Sequence, residues 1–194
     1  MIPAVVILGP RGSGKSTLLG KIARAARAPV LIIDPMHEHA GELLKYPVIA
    51  PCRKKWVFRP LSNEDWECLS DIIYAFVKCP GGLTLIVDEA PIWAMHDPDT
   101  LLDLINYGRH YRISTILAAR RPAEAADIMR HATANATTII VFATREPRDR
   151  DFIARYVDST IDVVNIPRFK VVEIGQPYLE TLGLSDYICL DNSI

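Results

Sequence analysis

Residues 9–16 read Gly-Pro-Arg-Gly-Ser-Gly-Lys-Ser, which matches G-x-x-x-x-G-K-[ST] without a gap. The apolar run Ala4–Leu8 precedes it, and the helix-forming stretch Lys15–Ala26 follows. Strand, glycine-rich loop and helix in that order constrain the chain more tightly than any overall statistic. Glycine admits backbone angles closed to other residues, so successive N–H groups turn inward, and the helix N-terminus adds a positive dipole end. The pattern predicts a cradle for the phosphates of a nucleoside triphosphate, ATP, with Mg2+. It is lined by Gly9, Pro10, Arg11, Gly12, Ser13, Gly14, Lys15, Ser16 and Thr17. Lys15 is expected to reach the β- and γ-phosphates and Ser16 to ligate Mg2+. Thr17 is expected at the α-phosphate.

The rest of the chain repeats the alternation. Further apolar runs are Val30–Ile33, Trp56–Phe58, Leu83–Val87, Ile113–Ala118, Thr137–Phe142 and Phe169–Ile174. Most are unbroken Val, Ile and Leu, as in strands buried on both faces of a parallel sheet. Helices are expected over Asn63–Lys78, Asp99–Gly108, Ala123–His131 and Pro147–Val157. Ser62 with Asp65 resembles a capping box, and Pro147 suits a first helical position. Alternating strands and helices imply an α/β fold with right-handed crossovers. At 194 residues, one domain over 1–194 is expected; the part from about Gln176 fits no element.

Leu83–Val87 ends in Asp88-Glu89. Asp88 is placed to hold the Mg2+ shell and Glu89 to polarise an attacking water. Hydrolysis needs that second carboxylate; simple nucleotide binding does not. A small-molecule kinase would need an arginine-bearing lid, and a guanine switch an Asn-Lys-x-Asp motif; neither is evident.

Composition removes other classes. The net charge of −1 gives no global signature of a nucleic-acid binder. No apolar run approaches the roughly 20 residues that cross a bilayer, so no membrane span is expected. Cys52, Cys68, Cys79 and Cys189 form no C-x-x-C pair, and are expected to be reduced thiols of a cytoplasmic protein. The five histidines, His37, His39, His96, His110 and His131, share no metal spacing and read as surface or local hydrogen-bonding groups. Trp66 and Trp93 read as packing. Cys52-Arg53-Lys54-Lys55-Trp56 reads either as a solvated turn or as a contact to DNA phosphates.

The strand Ile113–Ala119 runs into Arg120-Arg121-Pro122. Here the chain resembles the FtsK–HerA group of ring-forming DNA-pumping ATPases, whose third motif is a strand ending in a polar residue, usually Gln, before Arg-Pro. Arg120 stands where that Gln usually sits. Asp34-Pro35, Asp88-Glu89-Ala90 with Trp93, Gly108-Arg109-His110 and Thr144-Arg145-Glu146-Pro147 extend the resemblance over about residues 4–157. A bare core of this length is most like the genome-packaging ATPases of tailless, membrane-containing viruses; a cellular or mobile-element translocase core is the alternative. The resemblance implies a RecA-like (ASCE) P-loop NTPase fold, a mainly parallel central sheet with helices on both faces. It places the third-motif strand between the phosphate-loop strand and the Asp88 strand.

It also implies partners. These are double-stranded DNA, a homo-oligomeric ring that is monomeric in isolation, and a capsid or portal-vertex protein. Between Arg109 and Arg155 lie nine arginines and no lysine, and arginine binds phosphate bidentately at any physiological pH. In such rings an arginine from one subunit completes the neighbour's site. Arg109 is the first choice, with Arg112 and Arg145 as rivals, while Arg120 is expected to face its own nucleotide.

Overall fold

The computed structural model describes residues 2–27, 29–44, 52 and 55–189. Its strands are β1 (Ala4–Leu8), β2 (Val30–Ile33), β3 (Glu42–Leu43), β4 (Lys55–Phe58), β5 (Leu83–Val87), β6 (Ile113–Ala119), β7 (Thr138–Phe142) and β8 (Val171–Gly175). They form one sheet in the order β3-β4-β2-β5-β6-β1-β7-β8. All pairings are parallel except β7 with β8. As expected, β6 lies between β1 and β5, in register Ala4↔Thr115 on one side and Leu83↔Ile113 on the other.

The helices are α1 (Lys15–Ala25), α2 (Asn63–Glu67), α3 (Leu69–Val77), α4 (Ala90–His96), α5 (Pro98–Tyr107), α6 (Ala126–Asn135), α7 (Pro147–Tyr156) and α8 (Tyr178–Thr181). Two apolar clusters sandwich the sheet. Val5 and Ile7 of β1 point to Leu18, Leu19 and Ile22 of α1 and Leu179 of α8. Val6 and Leu8 point the other way, to the cluster holding Trp66, Ile72, Trp93, Leu101, Met129 and Phe152 from α2 to α7. Alternate residues of a strand face opposite sides, so an all-apolar strand needs helices on both. Ile7 and Leu8 are fully buried, each worth roughly 1.5–3 kcal/mol.

Several boundaries differ from the sequence expectation. Asn63–Lys78 is two helices, because the chain turns at Cys68, whose N–H bonds to both Glu64 and Trp66 carbonyls. The capping box is present: Ser62 Oγ accepts from Asp65 N while Asp65 accepts from Ser62 N. The segment from Ala123 starts as a 3₁₀ turn over Pro122–Ala125, and α6 continues to Asn135. Helix α4, short and starting directly at the acidic pair with Pro91 in its first turn, was not among the expected helices. The strand expected at Phe169 starts at Val171 instead, and Phe169 sits in a turn at φ +62°. Beyond Gln176, α8 and a 3₁₀ turn at Ser185–Tyr187 return the chain to β8, where Ile188 bridges Val171.

The cysteine expectation fails for one pair. Cys52 and Cys79 form a disulfide, 27 residues apart, while Cys68 and Cys189 are free. Bridging requires Cα atoms within about 7 Å. The fold brings these two to 5.2 Å, a proximity that C-x-x-C counting does not detect. Of the basic cluster, Arg53 and Lys54 lie outside the described residues. Lys55 Nζ donates to the carbonyls of Ala23 and Arg24 at 2.6 and 2.7 Å. That places its charge at the negative end of α1, the favourable end for a cation.

Candidate functional site

All the parallel strands end on one edge of the sheet, and the loops leaving β1, β2, β5 and β6 meet there. After β1 the chain turns sharply at Gly9, whose N–H bonds to Ala119 O at 3.2 Å. A methyl group at Gly9 would lie 2.6 Å from Phe142 Cβ, so only glycine lets the loop pass β7. Gly14, at φ +106°, is the residue from which α1 starts. The loop walls a cavity of about 240 Å³ with Arg11, Gly12, Gly14, Lys15, Ser16 and Thr17. Its other walls are Met36 and Glu38 after β2, Asp88 and Glu89 after β5, Arg120 after β6, and Phe169. Sequence positions as far apart as 11 and 169 thus converge on one space.

Lys15 is buried, with its ammonium 3.9 Å from Glu89 Oε1. Burial pushes its pKa down, opposed by the Glu89 and Asp88 carboxylates. Burial pushes the Glu89 carboxyl up, opposed by Lys15 and Arg120. Both groups are costly to desolvate, and each limits the cost for the other. Arg120 joins them: its backbone N–H donates to Glu89 Oε2 at 3.4 Å and its Nε lies 3.8 Å from Oε1. Glu89 itself takes φ +65°, ψ +60° at the start of α4. Non-glycine residues seldom adopt that conformation, and it commonly accompanies a site that aims a side chain.

Asp88 is held from two directions. The single Ser16 hydroxyl proton is shared between the Glu38 carboxylate and Asp88 Oδ2, the latter at 3.2 Å. His39 Nε2 lies 2.8 Å from the same Asp88 oxygen. A carboxylate only accepts, so Nε2 carries the proton of that bond. The expectation of a surface or local role is wrong for His39, which is 5% exposed and bonded 49 residues away. The loop after β2 fixes it there. Asp34, fully buried, accepts from Glu38 N (2.8 Å), His39 N (3.0 Å) and Arg59 Nε (3.2 Å). Arg59 also donates to His39 O at 2.7 Å.

Asp34, His39 and Asp88 offer ligand atoms within 4.8 Å of one another. Both Asp34 oxygens are already engaged by N–H donors, so this trio is an orienting network for Asp88. The hard oxygens suited to Mg2+ are those of Ser16 and Asp88, with Glu38 alongside, and Mg2+ prefers one or two carboxylates plus substrate phosphates.

No protein-family model matches the chain, and neither does any curated protein sequence. Solved structures do. The DNA-packaging ATPase of Sulfolobus turreted icosahedral virus matches with a TM-score of 0.71 at 22% identity, over 89% of this chain and 93% of that one. The genome packaging NTPase of Sulfolobus turreted icosahedral virus 2, in complex with AMPPCP, gives 0.68 at 22% identity, over 88% and 91%. The pCW3 conjugation coupling protein with ATPγS gives 0.61 at 11% identity, over 91% of this chain and 58% of that one. The fold is that of the RecA-like P-loop ATPases.

Within this P-loop fold the arginines separate into two groups. Arg11 and Arg120 line the cavity, and exposed Arg145 stands beside the loop in an adjoining cleft with Pro10, Gly12 and Ser13. Arg109 is at the opposite end of the sheet, exposed in the 3₁₀ turn before β6, and shares a cleft with Pro3, Ala4 and Thr137. It does not reach its own phosphate loop. Sequence reasoning missed Glu38, His39 and Arg59. The Asp34-Pro35 turn was the one signal near them.

Proposed function

We propose that the chain is an ATP-hydrolysing motor subunit that moves double-stranded DNA during viral genome packaging. The observation that carries this reading is the placement of Glu89, held at a strained backbone angle between Lys15 and Arg120 on the wall of the cavity that the glycine-rich loop encloses. The similarity of the whole domain to packaging ATPases supports it.

The loop amides and Lys15 bind the β- and γ-phosphates of ATP. Ser16 and Asp88 would hold Mg2+, which neutralises the phosphate oxygens as charge develops in the transition state. Glu89 orients a water for in-line attack on the γ-phosphorus and accepts its proton. Arg120 faces the same phosphate from its own subunit. The third positive group comes from a neighbour: Arg109, exposed and remote from its own loop, suits that role, with Arg112 and Arg145 as rivals. A trans arginine of this kind is worth roughly 10³–10⁵ in rate.

The active form is then a homo-oligomeric ring around DNA, monomeric when isolated, docked on a capsid or vertex protein. It works in the host cytoplasm or at the virion vertex. Among the described residues no helix is long and apolar enough to cross a membrane.

The test is ATPase activity against protein concentration, with and without DNA, alongside mass measurement in solution. Activity is expected to rise with DNA and with assembly, and Glu89→Gln is expected to bind ATP but scarcely turn it over. Specific activity that stays flat while oligomers form, or a Glu89→Gln variant as fast as wild type, defeats the reading in favour of a monomeric switch or kinase.

A further inference from the structure

Phe169 is a large aromatic residue in the wrong place for a core residue. It is 51% exposed and occupies a turn closed by Lys170 N to Pro167 O at 2.9 Å. At φ +62° it takes the third position of that turn, where glycine or asparagine ordinarily stands. Gly14 and Arg168 are neighbours of the ring. A methyl group at Gly14 would meet its Cδ1 at 3.3 Å, so its edge lies against the phosphate loop. The Arg168 guanidinium stands over the ring, 4.7 Å from its centroid.

The sheet order decides what reaches this ring. The proposed hydrolytic residues, Glu89 and Arg120, lie on the β5 and β6 side of β1, and Phe169 precedes β8 on the other side. A triphosphate whose γ end lies at Glu89 runs back across the loop, and its nucleoside leaves on the β7–β8 side. Phe169 lines both the phosphate cavity and the adjoining cleft of about 530 Å³ beside Arg11, Gly12, Thr144 and Arg145. That cleft is mostly apolar and next to the loop.

We propose that Phe169 is the platform on which the nucleobase of the bound triphosphate stacks, with Arg168 holding the ring in place. The inference rests on the reading of residues 9–17 as the triphosphate site. Every base has a π-face, so a stacking platform of this kind adds affinity for any base-bearing ligand and discriminates little between bases.

The test compares ATP with inorganic tripolyphosphate, both with Mg2+, by calorimetric titration of the whole protein. Phe169→Gly is expected to weaken ATP by on the order of tenfold or more and to leave tripolyphosphate unchanged. Because glycine relaxes the +62° angle, its melting temperature should not fall. Phe169→Trp should keep ATP affinity and have its fluorescence quenched by ATP but not by tripolyphosphate. Equal loss of both ligands in Phe169→Gly would mean that the ring only props Gly14, and overturns the proposal. So does unchanged ATP affinity, or a loss of ATP affinity in Met36→Ala on the opposite wall with none in Phe169→Gly. Wild-type protein that binds neither ligand removes the triphosphate reading itself, which separates that failure from failure of the platform.

Discussion

Oδ2 of Asp88 accepts hydrogen bonds from two residues far apart in sequence, Ser16 Oγ at 3.2 Å and His39 Nε2 at 2.8 Å. The proposed metal-binding carboxylate is therefore oriented by a buried imidazole. Outer partners of this kind typically change metal affinity by roughly 10–100-fold. His39→Ala is expected to raise the Mg2+ concentration for half-maximal turnover by about tenfold, with binding of metal-free ATP unchanged. His39→Gln, which keeps an N–H donor at similar reach, should recover much of the loss. A wild-type Mg2+ profile in His39→Ala would reduce the contact to packing.

Arg120 and Arg109 lie at opposite ends of β6, which makes their roles separable by mixing subunits. An Arg109→Ala subunit keeps its own loop and Glu89, and a Glu89→Gln neighbour keeps Arg109. Mixing these two inactive variants should restore part of the ATPase activity if Arg109 acts across the interface. Arg120 contacts Glu89 of its own chain, so Arg120→Ala mixed with Glu89→Gln should stay inactive. Absence of rescue in the first mixture, with rings confirmed by mass, transfers the trans role to Arg112 or Arg145.

The Cys52–Cys79 bridge closes a loop of 27 residues in sequence separation. Chain-entropy reasoning gives about 3.5 kcal/mol for such a loop. For a domain of this size that corresponds to roughly 10 °C in melting temperature. Cys52→Ser, or reduction by dithiothreitol, is expected to produce a fall of that order by calorimetry, while Cys68→Ser should change little. Bridge and phosphate cavity share no lining residue, so ATP affinity below the melting range should hold.

Asp149 is buried in the first turn of α7, and burial pushes its carboxyl above the usual range, against a hydrogen bond from the Ala123 N–H. A raised folded pKa means that the folded state binds the proton more tightly than the unfolded chain. This contribution to stability is therefore greatest below the unfolded value of about 3.9 and falls as pH rises through the folded pKa. Asp149→Asn keeps an acceptor for Ala123 and removes the buried charge. It is expected to melt at or above wild type at pH 7, with the advantage vanishing near pH 3.5. Denaturation curves at both pH values check the sign. An advantage that persists at low pH would point to a cause other than ionisation.

The glycine-rich turn between β1 and α1, β5 with its carboxylates and the parallel α/β layering were legible in the sequence. Each is a local pattern enforced by local physics: glycine where φ is positive, unbroken Val, Ile and Leu where a strand has two covered faces. The tertiary structure decided what local pattern cannot carry. It bonded His39 to Asp88, joined Cys52 to Cys79, moved Arg109 to the far end of the sheet from its own loop, and set Phe169 against Gly14. All of these relate segments distant in sequence and are fixed only when the strand order places the strand ends. The spacing of residues along a chain records neighbours within a helix or strand; which strand ends meet is a property of the assembled sheet.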